Sequence, residues 1–250
     1  MTSMTPQQAA KMLTNKLVTI RVGPAKVEFA ISKQLICTIP FFSKAFEGGF
    51  KESNGVMELV DEDEQVFSTF IVWLYSGKVS RANSQKDVDN LVKLYVFADL
   101  CCNTMLENRT IDAIAETFSR YDEPSITISM AKHVYETTPT NSLLRKWLIE
   151  TLVYDLSRKY NYVGELPTKE ALEFVYPLVI EFPEFYLDFF GMLRTNDLHR
   201  VVHGGRGDLD DLGCRFHIHG QGETCHRGEP ALAAWKDPIP GEAVVFEDQE

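Results

Sequence analysis

The chain has 250 residues, with 36 Asp and Glu against 25 Lys and Arg and a formal net charge of −11 at pH 7. That balance lacks the basic footprint a phosphate backbone requires, which argues against direct nucleic-acid binding, and no apolar run approaches the roughly 20 residues of a membrane helix. At 44% apolar and 24% charged residues, the composition is that of a folded protein long enough for one full core and a smaller second unit.

The N-terminal stretch MTSMTPQQAAKMLTNK carries neither a basic n-region nor an apolar h-region, so no signal peptide is expected. Pro6 after Thr5 suits the first turn of a short helix, with Ala10, Leu13 and Leu17 on one face. Val18, Ile20 and Val22 alternate with Thr19 and Arg21, and Val27, Phe29 and Ile31 continue the alternation beyond Gly23-Pro24. Residues 17 to 31 therefore read as a hairpin. The next 15 residues read as helix, with Leu35, Ile36, Phe42 and Phe46 apolar, a break before Pro40, and Gly48-Gly49 as the stop.

A third strand spans residues 56 to 60 and is apolar enough to be buried on both faces. Asp61 and Glu64 have the spacing of a capping box, with Asp63 as the alternative cap. The helix that follows places Val66, Phe67, Phe70, Ile71 and Leu74 on one stripe, leaves Trp73 and Tyr75 off it, and closes at Gly77. Leu35, Phe42, Phe46, Phe67, Phe70 and Leu74 are the expected core. After a polar loop, Leu91, Leu94, Tyr95 and Ala98 define one amphipathic helix and Ile111, Ile114, Ala115 and Phe118 another, both suited to the surface of the domain.

From Pro124 the pattern is wholly helical. Ile128, Ala131, Val134 and Tyr135 form one stripe, Leu143, Leu144, Trp147, Leu148, Thr151 and Leu152 a second, and Leu172, Val175, Tyr176 and Val179 a third. Phe185, Phe189 and Leu193 suggest a last helix ending near Thr195. The fold class is thus α+β, a three-stranded sheet flanked by helices and followed by an all-helical extension. The last 50 residues turn to glycine and acid. The expected division is 15–120, 124–198, and a tail 199–250.

Five cysteines is an odd number, and Cys37, Cys101 and Cys102 lie in apolar segments, which fits an intracellular, reducing setting in cytoplasm or nucleus. In that setting the sequon Asn108-Arg109-Thr110, mid-helix, has no role, and Arg206-Gly207-Asp208 reads as a loop. The tail holds Cys214, His217, His219, Cys225 and His226 within 13 residues. Two thiolates and two imidazoles are the ligands of a closed, neutral structural Zn²⁺ site, and Gly220 and Gly222 allow the chain to turn the second pair onto the first. The expectation is that Cys214, His217, His219 and Cys225 converge within about 4 Å, with His226 in reserve, as Zn–S and Zn–N bonds require. The competing reading is an unliganded polar strand. The spacings match no stock zinc finger, and an extended strand would point His217 and His219 away from Cys214, so a tight knuckle over 214–226 is needed. A catalytic zinc has no helical His-Glu-x-x-His frame to sit in. The run Asp61 to Glu64 is explained by capping, and no nucleophile elbow, P-loop or dinucleotide fingerprint occurs.

Gly23-Pro24, the block Phe41-Phe42-Ser43-Lys44-Ala45-Phe46, the acidic turn at 61–64 and the close Trp73-Leu74-Tyr75-Ser76-Gly77, in this order, resemble the BTB/POZ domain. The resemblance covers about residues 15 to 118, and extends to the short fungal-type BTB proteins with a helical extension and a Cys/His-rich end. It implies a non-enzymatic interaction module, an adaptor or scaffold, with many relatives serving as substrate adaptors of cullin-type ubiquitin ligases. Phe50-Lys51-Glu52 matches the hydrophobic-x-acidic triplet by which such domains recruit a cullin, so Phe50 and Glu52 are the partner-binding candidates. The alternative is a corepressor-type assembly protein acting in transcription without touching DNA. Where family homodimers carry an Asp and a basic residue, this chain has Lys16 and Lys33, which implies a monomer or weak dimer because like charges meeting in a buried interface are costly.

Overall fold

A computed structural model describes residues 16–120, 125–160, 167–194, 214–220, 223–225 and 227. The expected helix at 5–17 lies, apart from its last two residues, outside that range, as do Arg206-Gly207-Asp208 and His226. The described residues form an α+β structure in which a small mixed sheet is followed by helices.

β1 (Leu17–Val22) and β2 (Val27–Ser32) pair antiparallel with Val22 opposite Val27. The turn between them needs left-handed backbone at Gly23, with φ 72°, which glycine adopts at little cost. β3 (Val56–Leu59) pairs parallel to β1, giving the order β2-β1-β3. A parallel pair requires a crossover, and here it is α1 (Lys33–Ile36), α2 (Pro40–Glu47) and a 3₁₀ turn, Lys51–Asn54. Pro40 occupies the first turn of α2, where its missing N–H costs nothing. The central strand buries Val18, Ile20 and Val22. β3 differs from expectation: it is an edge strand in which only Met57 is buried, and Val60 beyond it is exposed.

α3 (Glu64–Ser76) starts at Asp63, whose side chain accepts from the Gln65 N–H at 2.8 Å, and ends at Gly77 with φ 71°. Asp63, not Asp61, is therefore the cap. Lys93 Nζ donates to Asp63 Oδ2 at 2.9 Å, and that bond holds the Asp63 carboxyl below its usual range. Phe67 meets Phe29 of the sheet, Phe70 meets Phe42 of α2, and both meet Phe97 of the next helix. With neighbours on two sides, the buried arc of α3 is wider than one stripe. Trp73 is buried with Phe70, contrary to expectation, whereas Leu74 and Leu35 are only half-buried.

α4 (Gln85–Leu100) begins at Ser84, whose hydroxyl accepts from the Asp87 N–H. It is not a surface helix: Val88, Leu91, Val92, Leu94, Tyr95, Phe97 and Ala98 are all buried, between α3 and α5 (Thr104–Arg120). The loop leading into α4 is tied to α5 by the buried bond from Ala82 N–H to Thr117 Oγ1 at 3.0 Å.

α6 (Ile128–Thr137), α7 (Leu143–Tyr160), α8 (Lys169–Glu181) and α9 (Pro183–Leu193) form the helical part. α7 is buried nearly all round, as expected only of a central helix. α8 turns a different face inward than the sequence suggests. Contacts with α6, α7 and α9 select Ala171, Val175 and Leu178, and leave Tyr176 exposed and Leu172 near the surface. The two parts share one core: buried residues from Val18 to Phe216 belong to a single cluster, and Phe118 of α5 stands edge-on to Trp147 of α7 at 5.1 Å. Among the described residues, no helix is long and apolar enough to cross a membrane.

Candidate metal centre

Residues 214–220, 223–225 and 227 lie against α5 and α7, and polar side chains of those helices hold them there. The Asn108 amide of α5 forms two bonds with Ile218, accepting from its N–H at 2.7 Å and donating to its carbonyl at 2.8 Å. Arg215 pairs with Glu150 of α7, a carboxylate that is itself buried. Phe216 is the apolar anchor and joins the core.

The chain makes two turns here. The His217 N–H bonds to the Cys214 carbonyl at 3.0 Å, and the Glu223 N–H to the Gly220 carbonyl at 3.1 Å. Glu223 also reaches back, its Oε2 accepting from the Gly220 N–H at 2.8 Å. The first turn removes the objection that an extended strand would point Cys214 away from the histidines. The second returns the chain to Cys225.

The result is a group of three: Cys214, His219 and Cys225 each offer one donor atom, and these atoms lie within 4.8 Å of one another. Both cysteines are buried and neither is in a disulfide. Burial pushes the Cys225 thiol up, opposed by the Arg227 N–H. The group could hold a metal ion. Its donor set of two sulfurs and an imidazole nitrogen fits Zn²⁺ better than hard cations, which take oxygen ligands.

His217 is outside that group of three but adjoins it. Its Nδ1 stands 3.3 Å from Cys225 Sγ, and its Nε2 stands 2.8 Å from Oδ1 of Asp112 on α5. Asp112 also accepts from Arg227, whose Nε is 3.3 Å from Oδ2. His226 lies outside the described residues.

Phe50 precedes the 3₁₀ turn Lys51–Asn54 as its N-terminal flanking residue, and Glu52 lies in its first turn. Phe50 is 61% exposed. With Glu52 it lines a cleft of about 340 Å³ whose other walls include Phe41, Ala45, Met57 and Cys101.

Sequence reasoning did not single out Asp112, Glu150 or Arg227, and named Asn108 only in a sequon without a role. Asn108 is buried and its amide makes one bond in each direction with Ile218, so the sequon at 108–110 concealed a structural role. The signal that could have found Glu150 is a charge within Trp147-Leu148-Ile149-Glu150-Thr151-Leu152, a run too apolar for a solvated carboxylate. Nothing local marks Asp112.

Compared with known proteins, the chain matches no protein-family model and no curated protein sequence.

Proposed function

We propose that the chain is a non-enzymatic interaction module of BTB/POZ type, an adaptor or scaffold, whose docking epitope for a cullin-type partner is Phe50 with Glu52. The observation that carries the reading is the exposure of Phe50 at the lip of an apolar cleft. A large aromatic side chain held in water beside unfilled apolar surface gains most when a partner covers both. Glu52 supplies a carboxylate at the same edge, which would orient the partner. Further support comes from the order strand, strand, two helices, strand, helix, with the third strand parallel to the first.

The Cys214, His219 and Cys225 group is proposed to hold a structural Zn²⁺, with His217 from the same segment. Its role is to secure residues 214–227, which contain too few apolar residues to pack by themselves, onto the helical part.

The test is co-purification. The full chain is expressed with an affinity tag beside Phe50→Ala and Glu52→Arg variants, and recovered cullin is measured. Recovery with the parent and loss with both variants, at unchanged helical circular dichroism, is the expected result. A parent that retains no cullin, or variants that retain it fully, would remove the cullin reading.

A further inference from the structure

We infer that Asp112 of α5 is the positioning carboxylate of a four-coordinate site in which His217 Nδ1 is the fourth ligand beside Cys214, His219 and Cys225. This rests on the zinc reading of the group of three and deepens it by tying the metal to the helical part of the protein.

The geometry of His217 carries the inference. Its ring is buried, and each nitrogen faces a different kind of partner. Nε2 is 2.8 Å from Asp112 Oδ1, and a carboxylate can only accept, so Nε2 carries the proton. Nδ1 then presents its lone pair, 3.3 Å from Cys225 Sγ. Ligands of one tetrahedral zinc are separated by roughly 3.5 Å, given Zn–S near 2.3 Å and Zn–N near 2.0 Å. His217 meets that spacing at Cys225 but stands outside the 4.8 Å group of Cys214, His219 and Cys225, so its ring has to close on the other two donors when the ion binds. Metal-ligating histidines characteristically donate through the other ring nitrogen to a carboxylate, which fixes the tautomer and raises the basicity of the ligating nitrogen. Asp112, His217 and Cys225 have that sequence of partners.

Charge supports the same assignment. Two thiolates neutralise Zn²⁺, and the Asp112 carboxylate is neutralised separately by Arg227. The ensemble is therefore uncharged, as a mostly buried cluster should be. A fourth protein ligand closes the site, which makes it structural, because a catalytic zinc keeps one position open.

The test uses the full-length chain, stripped of metal and titrated with Zn²⁺, and with Co²⁺ as a spectroscopic probe. The parent is expected to bind one ion, giving tetrahedral d–d bands and thiolate-to-cobalt charge transfer. His217→Ala should change the d–d envelope while the charge-transfer intensity of two thiolates persists. Asp112→Ala should weaken Zn²⁺ binding by about 10- to 100-fold, and Asp112→Asn, which keeps an acceptor oxygen, should recover most of that loss. Arg227→Gln controls for the ion pair and should move affinity less than Asp112→Ala.

Each failure points to a different error. A parent that binds no Zn²⁺, or that binds it undiminished in Cys214→Ala and Cys225→Ala, overturns the zinc reading and this inference with it. A parent that binds Zn²⁺ while His217→Ala leaves spectrum and affinity unchanged overturns this inference alone. So does a spectrum that moves with His226→Ala instead, which would make His226 the fourth ligand.

Discussion

Asn108 and Ile218 are 110 residues apart, yet the Asn108 side-chain amide pairs with the Ile218 backbone as a neighbouring strand would, with bonds of 2.7 and 2.8 Å. A side chain of α5 thus reads both polar groups of one peptide residue. Asn108→Ala leaves the N–H and the carbonyl of Ile218 without these bonds in a shielded site, at a cost of about 2 kcal/mol. Amide exchange at Ile218 should rise about 30-fold while α4 and α7 keep their protection. Unchanged exchange at Ile218 would show that the two bonds do not hold the segment.

Phe42 and Phe50 lie eight positions apart and should respond oppositely to truncation. Phe42 is fully buried against Phe41 and Phe70, so Phe42→Ala should cost about 3–5 kcal/mol in urea denaturation. Phe50→Ala should change stability by less than about 1 kcal/mol. Comparable losses in the two variants would mean that Phe50 is a packing residue and not an epitope.

Glu107 introduces a pH dependence. Burial, reinforced by Asp99, pushes its carboxyl up to about 7, against a lowering contribution from the Tyr95 hydroxyl. Because the folded value lies above the unfolded one, the folded state holds the proton longer. Stability is therefore greatest below about pH 4.3 for this group and is lost as pH rises toward 7. Its contribution to the change is on the order of 3 kcal/mol. The difference in unfolding free energy between the parent and Glu107→Gln should shift in favour of the variant across that range. A constant difference from pH 5 to 8 would contradict the assignment.

Arg145 is a buried cation that serves the end of α6. Its Nη2 donates to the Thr138 carbonyl and to the Tyr135 carbonyl, the latter at 2.8 Å, its Nε to Thr138 Oγ1 at 3.0 Å, and its guanidinium lies 4.5 Å from the Tyr135 ring centre. Arg145→Met should cost about 3 kcal/mol by stranding the carbonyls it satisfies. Arg145→Lys should recover little, because one ammonium cannot reproduce the fork. Glu184, the acidic partner, is exposed, so Glu184→Gln should cost under about 1 kcal/mol. A large loss in Glu184→Gln would shift the weight from the carbonyls to the ion pair.

Lys33 donates its Nζ to the Phe46 carbonyl at 3.2 Å, at the C-terminal end of α2, where a cation is favoured. With Lys33 so engaged, and with exposed Lys16 beside it, its carbonyl accepting from the Lys33 N–H at 2.9 Å, sedimentation should report a monomer or a weak dimer. A tight dimer at micromolar concentration would show that the like charges do not meet.

The alternation at 17–31, the break at Pro40 and the glycine stops are local signals, and the strands and helices they announce are where the sequence places them. Hairpin and helical half follow from period, turn residues and propensity, which act over a few positions, whereas the parallel pairing of β3 with β1 was not read from the sequence. The Cys/His cluster was equally legible as a set of ligand types. Tertiary structure decided what depends on neighbours distant in sequence. Trp73 is buried because α3 has partners on two sides, β3 is half-exposed because it lies at an edge, and α8 turns Ala171 inward because three helices crowd it. It also decided which residues surround the cluster. A turn at 214–217 gathers Cys214, His219 and Cys225, but the partners that fix the segment, Asn108, Asp112 and Glu150, come from helices far upstream. Hydrophobic period carries no information about them, because a polar residue on the flank of an apolar stripe reads alike whether it meets water or a buried histidine.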